Sequence, residues 1–337
     1  MLDPNVPPPA AVLRLVTGMW AAKAVATAAS LRIPDVLAQG PKTAQEVAQA
    51  VGADPSAVYR LMRGVASIGI LDAQGDRFSL TPLGEILRSD VPGSMRSALV
   101  AEMAPGHWLP WGLLEDAVRT GKPAAQKALG MDVWTYYEKN AEEGFLFAEA
   151  MSGLSTLAIY AVLGVYSFAG ARKVVDVGGS HGAFLAAVLQ RETTARGVLF
   201  DRPEVIEGAG AALEGAGVSS RVERVAGDFF HGAPSGGDVY LLKHVLHDWS
   251  DDECVTILRH VREAMATDAR VVVVEMLIGA GGPPSPAPLV DLNMLVLLGG
   301  KERTADEFGA LFARAGLALT SVTPTPSPFG VIEGRRA

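Results

Sequence analysis

A histidine is predicted to stand at the end of a buried strand, where a proton acceptor would face a ligand. The stretch DVYLLKHVLHDWSDDEC, residues 238–254, begins with an apolar run and delivers His247 just before a helix-start signal at Ser250 and Glu253. The carboxyl ends of strands in α/β proteins face the ligand crevice, and histidine exchanges protons near neutral pH. His247 is therefore the candidate base. His244 would point to the opposite side of an extended strand, so we expect it to be structural.

A glycine-rich turn upstream has the form of a cofactor-binding loop. The segment VVDVGGSHGAF, residues 174–184, reads as a strand, a turn and a helix. Such a turn lets the backbone approach a ligand while the helix N-terminus supplies N–H donors. The dinucleotide fingerprint G-x-G-x-x-G is not met, because Ser180 stands at its second glycine and Ala183 at its third. A pyrophosphate site is therefore disfavoured.

Acidic residues stand at the ends of three consecutive predicted strands. Asp201 follows Asp176 by 25 residues, where a carboxylate can accept hydrogen bonds from ribose hydroxyls. Asp228 comes after the third strand and suits an adenine amino group. The three acids together predict a nucleotide-type cofactor site close to His247.

Composition limits the partners that such a site can serve. The chain has 337 residues, enough for two domains with real cores. Its formal charge of -8 offers no footprint for nucleic acid or an anionic membrane. The single cysteine, Cys254, excludes an internal disulfide framework and a cysteine cluster for zinc. With no signal-peptide pattern and no run of about 18 purely apolar residues, we expect a cytoplasmic protein that binds a small molecule or another protein.

The first hundred residues predict a winged helix-turn-helix that serves packing. Residues 11–38 have apolar positions at helical spacing and few charges, so this helical segment is expected to be buried in the core or between subunits. Residues 43–88 read as two helices, a hairpin and a closing helix. The second of these helices offers only Arg60 and Arg63, fewer basic residues than a DNA reader needs. We therefore expect packing and no DNA binding.

The remainder of the chain predicts a helical segment followed by an α/β domain. Residues 105–170 are helical in pattern and rich in aromatic residues, which fits either a plain core or a lid over an aromatic substrate. From residue 172 strands and helices alternate and end in a hairpin, the pattern of a mostly parallel sheet covered by helices. The tract GAGGPPSPAP, residues 279–288, is predicted to be a loop.

In order and spacing these motifs resemble the S-adenosylmethionine-dependent O-methyltransferases of the plant caffeate and flavonoid type and their bacterial natural-product relatives. The resemblance covers nearly the whole chain and rests on VVDVGGSHG, DRPEVIE, GDFF, LLKHVLHDWSDDEC, VVVVEM, DLNMLVLLGGKERTADEF and GVIEG. The usual GGGTG of the family reads GGSHG here. The resemblance implies a winged-helix dimerisation domain over 1–100, a helical connector and substrate lid over 101–170, and a Rossmann-like catalytic domain with a C-terminal antiparallel hairpin over 171–337. It also implies a homodimer.

The resemblance assigns roles to individual residues. His247 matches the catalytic base of the family, and Glu275 and Glu302 match the two acids that hold and polarise it. The cofactor, S-adenosylmethionine, which leaves as S-adenosylhomocysteine, is expected to contact Gly178, Gly179, Asp201, Asp228, Phe229 and Lys243. Phe147, Met151 and Met294 fall where the family lines its substrate pocket. Apart from the resemblance, His107, which has Trp108 and Trp111 as neighbours, Trp108 itself and Asp248 are also expected to contact the substrate.

The expected reaction is methyl transfer to a hydroxyl, above all a phenol, of an aromatic small molecule, without a metal. The reference pKa of a phenol lies about 3.5 units above that of histidine, so we expect the proton to leave as the methyl group arrives. Two other classes stay open at this point. One is the same scaffold used for decarboxylation or hydroxylation of a polyketide, which intact His247, Glu275 and Glu302 argue against. The other is a ligand-sensing winged-helix regulator, which the acidic charge opposes.

Overall fold

The computed structural model of the protein describes residues 6–279 and 285–337. The chain forms two compact units, the first made of Met1–Gly112 and Gln126–Gly153, the second of Leu113–Ala125 and Leu154–Ala337. The segment 101–170 contributes to both units, and the division at residues 100 and 170 stays a prediction. Half of the predicted loop at 279–288 lies outside the described residues, and its last two residues begin α16 (Ala287–Leu297).

Helices and strands follow one another along the described chain with short connections. The helices are α1 (Pro8–Ser30), α2 (Ile33–Leu37), α3 (Ala44–Val51), α4 (Pro55–Ala66), α5 (Pro82–Glu85), α6 (Arg96–Glu102), α7 (Pro105–Trp111), α8 (Leu114–Thr120), α9 (Ala125–Leu129), α10 (Val133–Lys139), α11 (Ala141–Val165), α12 (Ala183–Arg191), α13 (Pro203–Gly208), α14 (Gly210–Gly215), α15 (Asp251–Ala264), α16 (Ala287–Leu297) and α17 (Ala305–Ala315). The strands are β1 (Lys42–Thr43), β2 (Leu71–Gln74), β3 (Arg77–Leu80), β4 (Lys173–Val177), β5 (Arg196–Asp201), β6 (Val222–Ala226), β7 (Val239–Lys243), β8 (Arg270–Met276), β9 (Leu317–Pro324) and β10 (Phe329–Arg336). Two short 3-10 helices cover Ser219–Arg221 and Leu246–Asp248.

The first unit contains the predicted pair of helices and hairpin. The side chain of Thr43 accepts a hydrogen bond from the Glu46 amide, and the Glu46 carboxylate accepts one from the Thr43 amide, so a capping box starts α3. β2 and β3 pair antiparallel around Gly75, and the small sheet has the order β1-β3-β2. Met62 of α4 and Phe78 of β3 are buried in the core of this unit.

Helix α1 presents a wide apolar surface. Six of its large apolar side chains, each more than half exposed, are Val12, Leu13, Leu15, Val16, Met19 and Trp20. By length and composition alone α1 and α11 could each span a membrane, a test that core helices of soluble proteins also pass. The sequence left two possibilities for this helical segment, burial in the core of the same chain or burial between subunits. Because these six side chains are exposed in the single chain, they are not part of its core. An apolar surface of this size calls for a partner.

The second unit is a seven-stranded sheet with the order β6-β5-β4-β7-β8-β10-β9. β6, β5, β4, β7 and β8 run parallel, and β10 pairs antiparallel with both β8 and β9. Strands β4, β7 and β8 are almost wholly buried, because apolar clusters cover both faces of the sheet. The predicted mostly parallel sheet with a C-terminal hairpin is confirmed.

The strand order places a ligand crevice at the centre of this sheet. The chain passes outward from β4 through β5 to β6 and then returns to the other side of β4 with β7. Such a reversal leaves a crevice beyond the carboxyl ends of the two central strands. The glycine turn that starts at Gly178 leaves β4, and the segment with His247 leaves β7, so both predicted motifs lie at this crevice.

Tyr240 in β7 provides a test of how this unit is held together. Its buried hydroxyl lies 2.6 Å from the carbonyl oxygen of Pro234 and 2.8 Å from that of Ala264, and it accepts a hydrogen bond from the Gly237 amide. Tyr240→Phe takes the hydroxyl away from the Gly237 amide and the Pro234 carbonyl, whereas the Ala264 carbonyl keeps its bond from the Gly236 amide. The substitution should lower the free energy of unfolding by about 1–3 kcal/mol, measured by urea denaturation. The matched control, Tyr160→Phe at a side chain that is 71% exposed, should change it by less than about 0.5 kcal/mol. Equal effects would contradict the role given to the Tyr240 hydroxyl.

Candidate active site

His247 lies on a tight turn between β7 and α15. Residue His244, just after β7, has a left-handed φ of 53°, and the chain then forms the 3-10 turn Leu246–Asp248. A capping box between Ser250 and Glu253 begins α15. The expectation that His244 points away from His247 is wrong, because the centroids of the two rings lie 5.4 Å apart. The left-handed backbone at His244 ends the extended strand, so the alternation of side chains does not continue to His247.

Two buried glutamates hold the ring of His247 from one side. Nδ1 of His247 lies 2.8 Å from Oε1 of Glu302, so Nδ1 carries a proton and donates it to the carboxylate. Glu275 Oε2 lies 3.8 Å from the same nitrogen. The other oxygen of Glu275 accepts hydrogen bonds from the amides of Val245 and Leu246, at 3.0 and 2.9 Å. Backbone amides of the turn that carries His247 thus fix the orientation of Glu275.

The second ring nitrogen lies beside a third carboxylate. Nε2 of His247 is 3.4 Å from Oδ1 of Asp248, and 17% of the His247 side chain is exposed. With Nδ1 engaged by Glu302, Nε2 is the nitrogen that can exchange a proton with a ligand. The arrangement is that of a general base oriented by an acid.

The carboxylates change the proton affinity of the ring. Burial disfavours the charged ring, but the nearby charges of Glu275, Asp248 and Glu302 outweigh it and raise the pKa of His247 to about 10. Burial raises the pKa of Glu275 to about 7, although the charge of His247 opposes this shift. Burial also raises the pKa of Asp248. At neutral pH the ring is therefore an imidazolium in the free protein.

The same group of side chains has the spacing of a metal site. Ligand atoms of His247, Glu275 and Glu302 lie within 4.8 Å of one another. However, the 2.8 Å separation between Nδ1 and Glu302 is that of a charge-assisted hydrogen bond. The amides that bind Glu275 explain its orientation as well. Hydrogen bonds within the chain therefore account for the spacing of these three side chains, and the role of His247 as a base stays a prediction.

The glycine turn after β4 leaves no room for side chains. A Cβ atom on Gly178, whose φ is 68°, would meet Val245 at 2.9 Å, and one on Gly179 would meet the Asp176 carboxylate at 2.6 Å. Asp176 itself is buried, and its Oδ2 has no hydrogen-bond partner among the described residues. Burial raises the pKa of this carboxyl group to about 7, while Lys243 opposes the shift. A bare backbone beside a buried acid fits a polar cofactor that approaches the main chain closely.

The acids on the next strands are accessible and held by backbone amides. Asp201 accepts hydrogen bonds from the Ser180 and Arg202 amides, each at 2.8 Å. These bonds leave its carboxylate free lone pairs, as two ribose hydroxyls would require. Asp228 accepts a bond from the Phe230 amide and lies 2.9 Å from Nδ1 of His231.

Phe229 and Lys243 complete the predicted cofactor set. The ring of Phe229 approaches the position of a Cβ on Gly178 to 3.6 Å. The ammonium group of Lys243 donates to the Ser155 hydroxyl at 2.8 Å. Burial lowers the pKa of Lys243, and Asp176 and Glu275 oppose the shift. All six predicted cofactor residues thus lie at, or a few residues beyond, the carboxyl ends of β4, β5, β6 and β7. They offer hydrogen-bond donors, acceptors and one aromatic face.

The predicted substrate residues are divided between the units. Asp248 and the buried Met294 belong to the second unit, and the others, His107, Trp108, Phe147 and Met151, belong to the first. Within the first unit Nδ1 of buried His107 lies 2.8 Å from the Tyr137 hydroxyl, and Phe147 stacks on the Tyr137 ring at 4.8 Å. Burial lowers the pKa of His107, although the charges of Glu102 and Glu143 oppose this shift.

Three further residues close to His247 and Glu302 were not identified from the sequence. Oδ1 of Asp291 accepts a hydrogen bond from the Glu302 amide at 2.9 Å. Gly300 packs against the backbone of His247, and Arg303 is completely buried beside it. The motif GGKERT, residues 299–304, drew attention to the segment that contains Gly300 and Arg303, but the sequence predicted a role only for Glu302.

Comparisons with known proteins agree with this geometry. A family model described as an O-methyltransferase domain matches residues 111–318, and a model described as an O-methyltransferase dimerisation domain matches residues 13–90. The chain is 39% identical over 331 residues to the phenazine O-methyltransferase PhzM of Lysobacter antibioticus, which covers 98% of this chain and 97% of that protein. It is also 39% identical over 326 residues to the mitomycin biosynthesis 6-O-methyltransferase of Streptomyces lavendulae, with coverage of 96% and 93%.

A solved structure with both ligands bound is similar over most of its length. It is the O-methyltransferase NcsB1 from neocarzinostatin biosynthesis, in complex with S-adenosylmethionine and 2-hydroxy-5-methyl naphthoic acid. The TM-score is 0.83 at 34% identity, with 94% of this chain and 96% of that chain covered.

Ser180 provides a test of the strained glycine turn. Its φ is 54°, in the left-handed region where a side chain costs about 1–2 kcal/mol. Ser180→Gly should therefore raise the free energy of unfolding of the cofactor-free protein by about 1 kcal/mol in urea denaturation. The exposed Ser219 begins a 3-10 helix, and Ser219→Gly, the control, should lower that free energy by about 0.5–1 kcal/mol. A loss of stability in Ser180→Gly would show that the turn is relaxed with serine in place.

Proposed function

This chain belongs to the O-methyltransferase family, and we propose that His247 is its general base. The protein is an S-adenosylmethionine-dependent O-methyltransferase that acts on aromatic small molecules of the natural-product type. The observation that carries the proposed role is the 2.8 Å hydrogen bond from Nδ1 to Glu302, which leaves Nε2 to take a proton. The acceptor is a hydroxyl, preferably a phenol.

S-adenosylmethionine supplies an electrophilic methyl group when it is bound. In this chain the candidates for holding it are the cofactor residues at the carboxyl ends of the central strands. The bare backbone at Gly178 and Gly179 would accept close approach, and Asp201 and Asp228 would accept hydrogen bonds from hydroxyl and amino groups. Phe229 and Lys243 complete this set. The six residues predicted to contact the substrate remain proposed contacts.

The proton step belongs to His247. Because its pKa is raised to about 10, its proton affinity matches that of an ordinary phenol, whose pKa is about 10. Proton transfer from the phenol to the neutral ring is then almost thermoneutral, whereas transfer to a free imidazole is uphill by about 3.5 units, about 5 kcal/mol. Below about pH 10 the ring must first lose its own proton, which costs about 1.4 kcal/mol per pH unit. Glu302 keeps the proton on Nδ1 and stabilises the imidazolium that forms, so that Nε2 faces the hydroxyl in the basic form.

The raised pKa also fixes the direction of the pH dependence. Only the neutral ring accepts a proton, so kcat/KM should rise with pH as the imidazolium of the free enzyme loses its proton. Weakening the acidic surroundings should move this rise to lower pH. The sign follows from the carboxylates, which favour the charged ring.

The family also bears on assembly and location. The dimerisation domain, residues 13–90, carries the exposed apolar surface of α1, and two copies of the chain bury it in a homodimer. The unpaired, buried Cys254 suits a reducing compartment. We place the enzyme, a soluble protein, in the cytoplasm.

Replacement of the base tests the proposed role. His247→Ala should lower kcat for transfer of an isotope-labelled methyl group to a panel of phenols and catechols by about 10²–10⁴-fold. Its dissociation constant for S-adenosylmethionine, measured by calorimetry, should change little, because His247 is not one of the proposed cofactor contacts. Added imidazole should restore part of the lost turnover. Equal loss of turnover and cofactor binding, without rescue, would show that His247 is structural.

A further inference from the structure

We propose that Arg303 positions the base: its guanidinium fixes both ends of the turn that carries His247, and its backbone fixes the two glutamates that face the ring. The inference rests on the role proposed for His247. Arg303 does not touch the ring, so its part is to position and not to react.

The side chain of Arg303 forms hydrogen bonds with the turn on both sides of His247. Nη1 donates to the carbonyl oxygen of Leu246 at 2.9 Å, and Nη2 donates to that of Trp249 at 2.8 Å. Nε and Nη2 also bind one oxygen of Asp251, at 2.9 and 2.8 Å. These three residues enclose His247 and its neighbour in the sequence, and they include the first residue of α15. A displacement of this turn would have to break several charge-assisted hydrogen bonds at once.

The backbone of Arg303 is joined to the strand that carries the other glutamate. Arg303 forms a parallel bridge with Leu277, and its carbonyl oxygen accepts a hydrogen bond from the Ile278 amide at 3.1 Å. Leu277 directly continues β8, in which Glu275 lies two residues earlier. The residue before Arg303 is Glu302, the partner of Nδ1. One residue therefore ties together the histidine turn, the end of β8 and the segment of Glu302.

Close packing at Gly300 supports the same geometry independently of any polar contact. A Cβ atom on Gly300 would overlap the carbonyl oxygen of His247 and would lie within 2.9 Å of backbone atoms of Asp248. The segment of Glu302 thus rests directly on the backbone of the turn. Asp291 holds the segment on its other side through the Glu302 amide.

The burial of the charge argues for a positional role. The Arg303 side chain is 0% exposed, whereas its ionic partner Asp251 retains 41% exposure. A buried ion pair adds little to stability compared with apolar residues of the same volume, but losing one partner is costly. The planar fork of arginine can bind two carbonyl oxygens and a carboxylate in fixed directions, which a lysine cannot. The contacts of Arg303 thus specify where His247 lies relative to Glu302.

The test compares two ways of loosening this arrangement. Arg303→Lys keeps the charge but loses the fork, and Gly300→Ala pushes the segment away without removing a polar group. Each should lower kcat by about 10–100-fold, because displacements of about 1 Å at a reacting group have effects of this size. The dissociation constant for S-adenosylmethionine should stay within about threefold. The rise of kcat/KM with pH should move to lower pH, because Nδ1 loses its carboxylate partner.

The chain offers a matched control. Arg314 pairs with Asp252, the neighbour of Asp251 in the first turn of α15, but its side chain is 48% exposed. Arg314→Met should leave kcat and the pH profile unchanged. All assays are run on full-length protein at a temperature where circular dichroism shows each variant to be folded.

The outcomes separate this inference from the role of His247. If folded Arg303→Lys and Gly300→Ala keep the native kcat and pH profile, Arg303 is structural and the inference is wrong. The same holds if activity falls only in proportion to the unfolded fraction. If His247→Ala keeps its turnover, the proposed base itself is wrong. Should Arg303→Lys fail to fold, Gly300→Ala decides by the same criteria.

Discussion

The hydrogen bond between Nδ1 of His247 and Glu302 controls the chemistry that this site can carry out. It lies among three carboxylates in a place where the histidine side chain is only 17% exposed, so its charges are weakly screened. The bond fixes the tautomer of the ring and its orientation. The charges of Glu275 and Asp248, together with this bond to Glu302, raise the pKa of the ring until its proton affinity matches that of a phenol. A free imidazole in water would have neither property.

The sheet brings the proposed base to the crevice proposed for the cofactor. Reversal of the strand order at β4 opens the crevice beyond β4 and β7, and each strand delivers one motif. The glycine turn after β4 removes side chains where Asp176 and Val245 leave no space for them. Lys243 ends β7, and the turn that follows places His247 four residues later. The proposed cofactor residues and the proposed base are thus positioned by adjacent parallel strands with a buried core on both faces.

Local features of this chain could be predicted from the sequence, and long-range ones could not. The capping boxes at Thr43 and Ser250 depend on residues three apart, and they form as their spacing indicates. The left-handed residue His244 carries no such signal, because a non-glycine side chain rarely adopts that φ, and its ring was expected on the wrong side. Arg303 looked like an ordinary charged residue, since its partners Leu246 and Trp249 are more than fifty residues away in the sequence. The raised pKa of His247 likewise depends on carboxylates that only the fold brings together.

The proton affinity of His247 is the most direct test of this account. The protein has six histidines, so the ring signal of His247 can be assigned in isotope-labelled protein by its loss in His247→Ala. Titration of the cofactor-free enzyme by nuclear magnetic resonance should give a pKa of about 10 for His247. In Glu302→Gln, where the hydrogen-bonded charge is removed, the pKa should fall by about one unit or more. A value near 6.5 in both proteins would contradict the claim that the buried carboxylates make this histidine a base strong enough for a phenol.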